Sequence, residues 1–314
     1  MHPADPVTSC WQASLELGFA HHGEATRLVR RSHHGPLRVQ KALYPEGPEL
    51  CHAIVLHPPA GIAGGDRLEF DITLDTGAQA LLTTPGAGKW YRSAGPLAEQ
   101  AVSLKVGAGA TAEWLPQESI VFEGAEARMR TEVDLAPGAR YIGLETLCFG
   151  RRASGESFTR GHLHLATDIR SEGQLLWRER GNIAGGSALL ESPIGLAGYS
   201  VCSTVLAAGI DLPVETLAAC RAATADATGA QAGVSAMPQI FVGRYLAFVP
   251  AAKVQAVVLT RSPLQRLFGL ATLTVPPCRL TRAAACGSSV NCPAGLLSCT
   301  RPERWMPLPL TLET

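Results

Sequence analysis

The feature that most limits the fold of this sequence is a layout that occurs four times between residues 71 and 180. Each unit consists of a strand-like run, a turn centred on a glycine and a second strand-like run, and successive units lie about 30 residues apart. The turn glycines are Gly77, Gly109, Gly138 and Gly173. Glycine adopts the positive φ of a tight turn at little cost. The repeat favours stacked β layers that bury their faces on one another, and an antiparallel meander of similar hairpins is the alternative.

The rest of the chain predicts further short strands and one helix. Residues 26–39 read as a hairpin with its tip at His33–Pro36. Residues 213–230 have a helical composition and begin with Pro-Val-Glu-Thr, so we expect a helix that ends by Gly229. The residues themselves therefore predict a mostly β fold with a helix toward the C-terminus.

Charge and hydropathy exclude several functional classes. The formal net charge is 0 over 314 residues, which argues against a nucleic-acid partner. No run approaches the roughly 20 apolar residues that span a bilayer, and no export signal opens the chain, so we expect a cytoplasmic protein without a membrane partner. The nine cysteines form no C-x-x-C pair, and we expect them to be reduced.

Two local motifs point to chemistry that the spacing does not support. Residues 85–89 (PGAGK) resemble a phosphate-binding loop, but Thr83 stands where its first glycine belongs, and Trp90 follows Lys89 in place of Ser or Thr. His162 and His164 alternate along one strand, so both imidazoles could reach one metal ion. No Cys or carboxylate lies at ligand spacing from them, and an ordinary histidine content is the alternative that we prefer. The sequence contains no recognised catalytic signature.

Five carboxylates lie on or beside turns in apolar surroundings. They could form a polar lining or contact a partner, or they could cap turns and pair with neighbouring arginines such as Arg67, Arg152 and Arg178. For any single carboxylate the second interpretation is stronger, because acidic side chains on protein surfaces are common. The five are Asp66, Glu118, Glu145, Glu156 and Glu179.

Four longer segments carry a family resemblance. HPPAGIAGGDRLEF (57–70), ALLTTPGAGKWYRS (80–93), EWLPQESIVFEGA (113–125) and FGRRASGESFTRG (149–161) resemble the urease accessory protein family called UreD, or UreH in some organisms. The resemblance spans roughly residues 11–246 in consistent order. Positions that match the family motif and that we expect to be structural are His57, Pro58, Pro59, Gly64, Gly65, Gly86, Lys89 and Arg92.

The resemblance implies a urease maturation factor that is not an enzyme. Members of this family act as scaffolds in a complex with a helical UreF-like protein and a UreG-like GTPase, dock on apo-urease and help to install nickel. The family fold is a β-helical, two-sheet architecture with few helices, which agrees with the repeat. The predicted fold class is therefore mostly β, a β-helical or two-sheet stacked architecture with one or two helices toward the C-terminus. An internal tunnel is the expected route for Ni²⁺. The resemblance therefore implies transient Ni²⁺ and no tightly bound cofactor. Carboxylate and hydroxyl oxygens can pass a divalent ion without trapping it, and on that ground we nominate Asp66, Thr84, Glu145 and Glu179 as the tunnel lining.

Two other functions remain open, a metal-dependent enzyme and a β-solenoid interaction module with a partner other than urease. The sequence departs from the family after Tyr245–Leu246, where members continue into an amphipathic helix. The expected domains are a UreD-like β domain over residues 1–249 and an atypical tail over 250–314. A shifted reading frame or genuine divergence would explain the tail, which we predict to be poorly ordered or loosely packed.

Overall fold

A computed structural model of the protein describes residues 10–59, 61–225, 229–248, 257–259 and 273–275. The prediction for residues 250–314 lies outside the described residues, apart from two short strands that pair with each other. The strands in chain order are β1 (Gln12–His22), β2 (Ala25–His34), β3 (Arg38–Leu43), β4 (Leu50–Leu56), β5 (Arg67–Leu74), β6 (Gln79–Thr83), β7 (Gly88–Trp90), β8 (Ala98–Val106), β9 (Thr111–Trp114), β10 (Ser119–Val121), β11 (Ala125–Leu135), β12 (Arg140–Phe149), β13 (Gly161–Ser171), β14 (Gln174–Ala184), β15 (Val201–Ala208), β16 (Ala230–Met237), β17 (Ile240–Ala247), β18 (Val257–Leu259) and β19 (Leu273–Val275). The helices are a 3₁₀ turn (Arg152–Ser154), α1 (Ala188–Glu191) and α2 (Val214–Ala225).

The strands form two large sheets. Sheet A has the order β14-β13-β11-β8-β5-β1-β2, and sheet B has the order β16-β17-β15-β12-β9-β6-β4-β3 with β10 and β7 attached beside β12. Within sheet A, β5, β8, β11 and β13 pair in parallel, and within sheet B, β6, β9 and β12 do the same. The mostly β, two-sheet stacked architecture predicted from the sequence is confirmed.

The first three repeat units connect the two sheets. β5, β8 and β11 lie in sheet A, and the strands that follow them, β6, β9 and β12, lie in sheet B. The turns stack on one another, since the Gly77 N–H donates to the Ala108 carbonyl at 2.9 Å and the Gly109 N–H donates to the Pro137 carbonyl at 3.1 Å. These units are therefore arches between layers, and each layer adds one strand to both sheets.

The fourth unit is a true hairpin. β13 and β14 pair antiparallel in sheet A around a two-residue turn, Glu172–Gly173, in which both residues have positive φ. A turn of this kind returns the chain beside the strand it has left. The arches have a longer turn, and this difference decides which unit crosses to the other sheet.

The predicted hairpin over residues 26–39 is wrong. β2 pairs with β1 in sheet A, whereas β3 pairs with β4 in sheet B. Leu37 and Val39 are buried in the core between the sheets, so the chain crosses from one layer to the other at this point. The predicted helix is confirmed, because α2 occupies Val214–Ala225.

One hydrophobic core fills the space between the sheets. Phe19, Ile72 and Leu104 of sheet A and Leu82 and Trp114 of sheet B belong to the same buried cluster. A second cluster covers the outer face of sheet B beneath α2. No helix in the described part of the chain is long and apolar enough to cross a membrane.

Candidate functional site

The inward face of β12 interrupts the core with an acidic side chain. Tyr141 and Leu147 point into the core, and Glu145 occupies the same face between them because side chains alternate along a strand. The register of sheet B continues this row, since Glu145 pairs with Thr204 of β15 and Thr204 pairs with Arg244 of β17. An acid, a hydroxyl and a guanidinium are thus adjacent on three successive strands.

Sheet A presents a matching polar row. Thr131 of β11 pairs with Thr167 of β13, which pairs with Glu179 of β14. Thr131 lies between Met129 and Val133, both of the core, so this row also faces inward. A row of two hydroxyl groups and one carboxylate therefore runs along the inner surface of sheet A and ends at the edge strand β14.

An ion pair joins the two rows. The Arg244 guanidinium of sheet B donates to the Glu179 carboxylate of sheet A, and the two side chains are 45% and 27% exposed. β14 is the edge strand of sheet A, so the pair lies at the open side of the two-sheet stack. We call Glu145, Glu179, Thr204 and Arg244 the inter-sheet polar cluster.

The surroundings of the cluster favour the neutral forms of Glu145 and of the neighbouring Cys202. Burial and, to a smaller extent, the charge of Glu179 raise the pKa of Glu145 to about 7, against the opposing effect of Arg244. Cys202 lies two residues before Thr204, and burial raises the pKa of its thiol to about 11. The inner end of the cluster therefore holds a carboxyl group that gives up its proton near neutral pH and a protonated thiol.

Asp66 has a different role in the fold. Its side chain is 3% exposed, and its two oxygens accept the backbone N–H groups of Trp11 at 2.7 Å and Ala63 at 2.8 Å. These bonds fix the turn before β5, as the turn-capping interpretation of the carboxylates predicts. Burial lowers the pKa of His57, and the charge of Asp66 opposes that shift.

Thr84 connects two loops. Its hydroxyl oxygen accepts the Gln117 N–H at 2.9 Å and donates to the Gly86 carbonyl at 3.1 Å. The structure thus brings Glu145 and Glu179 together and places the hydrogen bonds of Asp66 and Thr84 in two other turns. The role of all four residues in lining a nickel path stays a prediction.

The motif residues between 57 and 93 bring two turns into contact. The Ile62 N–H donates to the Lys89 carbonyl at 2.7 Å, and the Tyr91 N–H donates to the Ile62 carbonyl at 2.9 Å. A Cβ atom at Gly61 would lie 2.2 Å from the Tyr91 ring, so only glycine fits there. Arg92 forms an isolated bridge with Ala125. Further members of this turn region are His57, Pro58, Pro59, Gly64, Gly65 and Gly86.

The arginine partners suggested by sequence proximity are wrong. Glu179 pairs with Arg244 in the other sheet, and Arg178 instead donates to Asp168 at 3.0 Å. Neighbouring residues of a strand point to opposite faces, which separates Glu179 from Arg178. Glu156 pairs with Arg151 and not with the predicted Arg152.

The two alternating histidines lie on the outer face of sheet A. The rings of His162 and His164 stack with centroids 6.3 Å apart, and the His162 Nδ1 lies 3.1 Å from a Glu126 carboxylate oxygen. Within the described ranges no group of three or more His, Cys, Asp or Glu side chains is arranged to hold a metal ion.

Sequence reasoning missed Arg244, Thr204 and Cys202. A signal for Arg244 was present, because Ile240, Val242 and Leu246 occupy the alternate positions of the same strand and all contact the core. A charged residue in an inward series of apolar residues marks a position with a partner. The identity of that partner was not accessible, since Glu179 lies 65 residues away.

Comparison with known proteins gives one consistent family. Residues 12–274 match the family model described as UreD urease accessory protein. The urease accessory protein UreD of Azoarcus sp. (strain BH72) is 52% identical over 245 residues, which cover 78% of this chain and 84% of that protein. Its counterpart of Dechloromonas aromatica (strain RCB) is 53% identical over 239 residues, covering 75% and 83%. The one of Pseudomonas aeruginosa PAO1 is 53% identical over 221 residues, covering 70% and 76%.

Proposed function

Because the chain belongs to the UreD family of urease accessory proteins, we propose that it is a scaffold of the accessory complex that delivers nickel to apo-urease. Ni²⁺ passes transiently between the two sheets of this scaffold. The single observation that supports this route is the inter-sheet polar cluster, which places the Glu179 carboxylate at the open side of the core and the Glu145 carboxyl group further inside.

The side chains of the cluster suit transient binding of a divalent cation. Carboxylate and hydroxyl oxygens bind divalent ions, whereas tight retention of Ni²⁺ requires a fuller set of ligands in fixed geometry. Glu145 and Glu179 offer two carboxylates, and Thr204 offers a hydroxyl between Glu145 and Arg244 in the same row. Such a site lowers the cost of bringing a cation into the stack without storing it.

The proposed partners are a helical UreF-like protein, a UreG-like GTPase and apo-urease. The relatives are named accessory proteins, which supports a role by assembly and no turnover of its own. Affinity capture with the purified full chain tests the assembly. Capture of apo-urease in the presence of the other two proteins supports it, and capture of an unrelated protein alone would favour an interaction module with a different partner.

Removing the Glu179 carboxylate tests the nickel route. In a host that carries urease and the other accessory genes, we expect Glu179→Ala to lower nickel per urease and urease activity by roughly tenfold, the usual scale for losing a group that tunes metal binding. Metal analysis of purified urease measures the first quantity, and ammonia release measures the second.

The matched control for this experiment is Glu16→Ala. Glu16 is an exposed carboxylate of sheet A that also pairs with an arginine, Arg30, but it lies outside the inter-sheet polar cluster. Both variants should still enter the accessory complex. Unchanged nickel content with Glu179→Ala would remove this residue from the route, and loss of the complex itself would show a structural role.

A further inference from the structure

Arg244 is the basic member of the inter-sheet polar cluster, and its position is unusual among the ion pairs of the described strands. The other pairs between strand residues, such as Arg30–Glu16, Arg128–Glu99 and Arg178–Asp168, lie within sheet A. Arg244 and Glu179 instead link β17 of sheet B with β14 of sheet A. The guanidinium therefore lies at the open side of the stack. An ion that enters between the sheets at this side comes close to its positive charge.

The packing of the row leaves the guanidinium against the Glu179 carboxylate, with Glu145 two strands away in the same row. The core contacts of Val242 and Leu246 on either side of Arg244 hold the inward face of β17 against the interior. The pKa of Glu145 responds to the charges of both Glu179 and Arg244, so all three groups lie within electrostatic reach of one another. A positive charge is thus already present at the Glu179 carboxylate, within reach of the field of Glu145.

A divalent cation cannot share that position with a guanidinium. Like charges at contact distance repel strongly when water is partly excluded, and a guanidinium keeps its charge at every pH that proteins tolerate. A dication that uses Glu179 as a ligand must therefore first displace Arg244 from it. The long and partly exposed side chain of Arg244 gives it room to turn toward solvent.

We infer that Arg244 is a gate for divalent cations at this opening. Its guanidinium occupies the place beside Glu179 that the cation would take, and it must leave Glu179 before the cation passes on toward Glu145. This inference rests on the proposed function for its biological meaning. The gate keeps affinity low, so that a cation is passed on and not retained.

The test measures Ni²⁺ binding by the purified full chain, carrying a tag without histidine. By equilibrium dialysis against a nickel salt, we expect Arg244→Gln to bind Ni²⁺ at least about tenfold more tightly than the wild type, because a repelling charge is gone and both carboxylates are free. Arg244→Lys keeps the positive charge and should stay within a few-fold of the wild type. Arg244→Gln/Glu179→Gln should lose the gain.

Two results would contradict the inference that Arg244 is a gate. One is an Arg244→Gln affinity equal to that of the wild type, and the other is a gain that persists in the double variant, since the added binding would then lie elsewhere. If Arg244→Gln does not fold, as judged by circular dichroism, Arg244→Met replaces it, because methionine keeps an unbranched apolar stem.

Failure of the gate and failure of the proposed function can be told apart. A gain of nickel affinity in Arg244→Gln, with a wild-type protein that does not activate urease, would support the gate and contradict the function. Activation of urease by the wild type, with no gain in Arg244→Gln, would support the function and contradict the gate.

Discussion

At the scale of single residues, Glu113 shows how burial sets the charge state of a side chain. It lies in β9 on the outer face of sheet B, 1% exposed, in register with Leu81 on one side and Ile142 on the other. Burial raises the pKa of Glu113 to about 8, and the charge of Glu46 adds to the shift. The side chain is therefore a neutral acid at pH 7.

The sign of the resulting pH dependence follows from linkage. The folded-state pKa of Glu113 lies above its ordinary value of 4.5, so folding favours the protonated form. Its stabilising contribution is complete below pH 4.5 and is lost as pH rises through about 8. We expect wild-type stability to fall by about 1.4 kcal/mol per pH unit from this group between about pH 5.5 and 7.5.

The variant Glu113→Gln isolates that contribution. Its amide does not titrate, so urea unfolding at pH 5.5 and 7.5 should show a smaller loss of stability than the wild type, by about 2–3 kcal/mol. Glu145 titrates in both proteins and cancels from the difference. Equal pH slopes for the two proteins would show that Glu113 is ionised in the folded state.

At the scale of elements, the arches determine how the sheets are joined. Each arch needs one residue in the left-handed region, and Gly109, with φ of +66°, provides it in the β8–β9 turn. Among the described residues, none other than its chain neighbours has an atom within 4 Å of where its Cβ would be, so a side chain there has space. The requirement for glycine at this position is therefore conformational and not steric.

This distinction predicts a ranking of substitutions. Gly109→Val should destabilise the protein by about 1–2 kcal/mol, because the side chain of a β-branched residue clashes with the backbone in the left-handed conformation. Gly109→Asn should destabilise it less, because asparagine adopts this conformation more readily. The midpoint of urea unfolding measures both. The contrast is Gly107→Ala, whose Cβ would lie 2.7 Å from the Leu74 carbonyl oxygen, and we expect this variant to be the least stable of the three. Equal losses for Val and Asn at position 109 would contradict the conformational account.

At the scale of the whole molecule, one core makes the two sheets interdependent. The main buried cluster takes residues from both, and the rings of Phe70 in sheet A and Trp114 in sheet B meet edge to face at a centroid distance of 5.7 Å. Neither sheet has another partner for its inward face in the described structure. We therefore expect the sheets to unfold together.

Truncating one core residue tests this interdependence. Leu104 of β8 is fully buried, and Leu104→Ala should cost about 2–5 kcal/mol through lost transfer energy and a cavity. Hydrogen exchange should show the same loss of protection in β8 and in β12 of the other sheet. Loss confined to sheet A would mean that the sheets unfold separately. Leu189→Ala, a partly exposed residue of α1, is the control with little expected effect.

The sequence by itself determined much of the fold. The glycine-centred repeat indicated stacked β layers, and the composition of residues 213–230 indicated α2. Both could be predicted because turn conformation and helix propensity depend on residues that are neighbours in the sequence. It also marked Glu145 and Glu179 as acids in apolar surroundings. The family resemblance, confirmed by the comparisons, came from contiguous motifs.

Only the tertiary structure decided which strands meet. The same strand–turn–strand pattern produces an arch at Gly109 and a hairpin at Gly173, and residues 26–39 cross between sheets where the sequence predicted a hairpin. The pairing of Glu179 with Arg244 and the bond from the Trp11 N–H to Asp66 join residues more than 50 positions apart. Strand pairing and side-chain partners across layers are set by how the layers stack, and no short stretch of sequence contains that information.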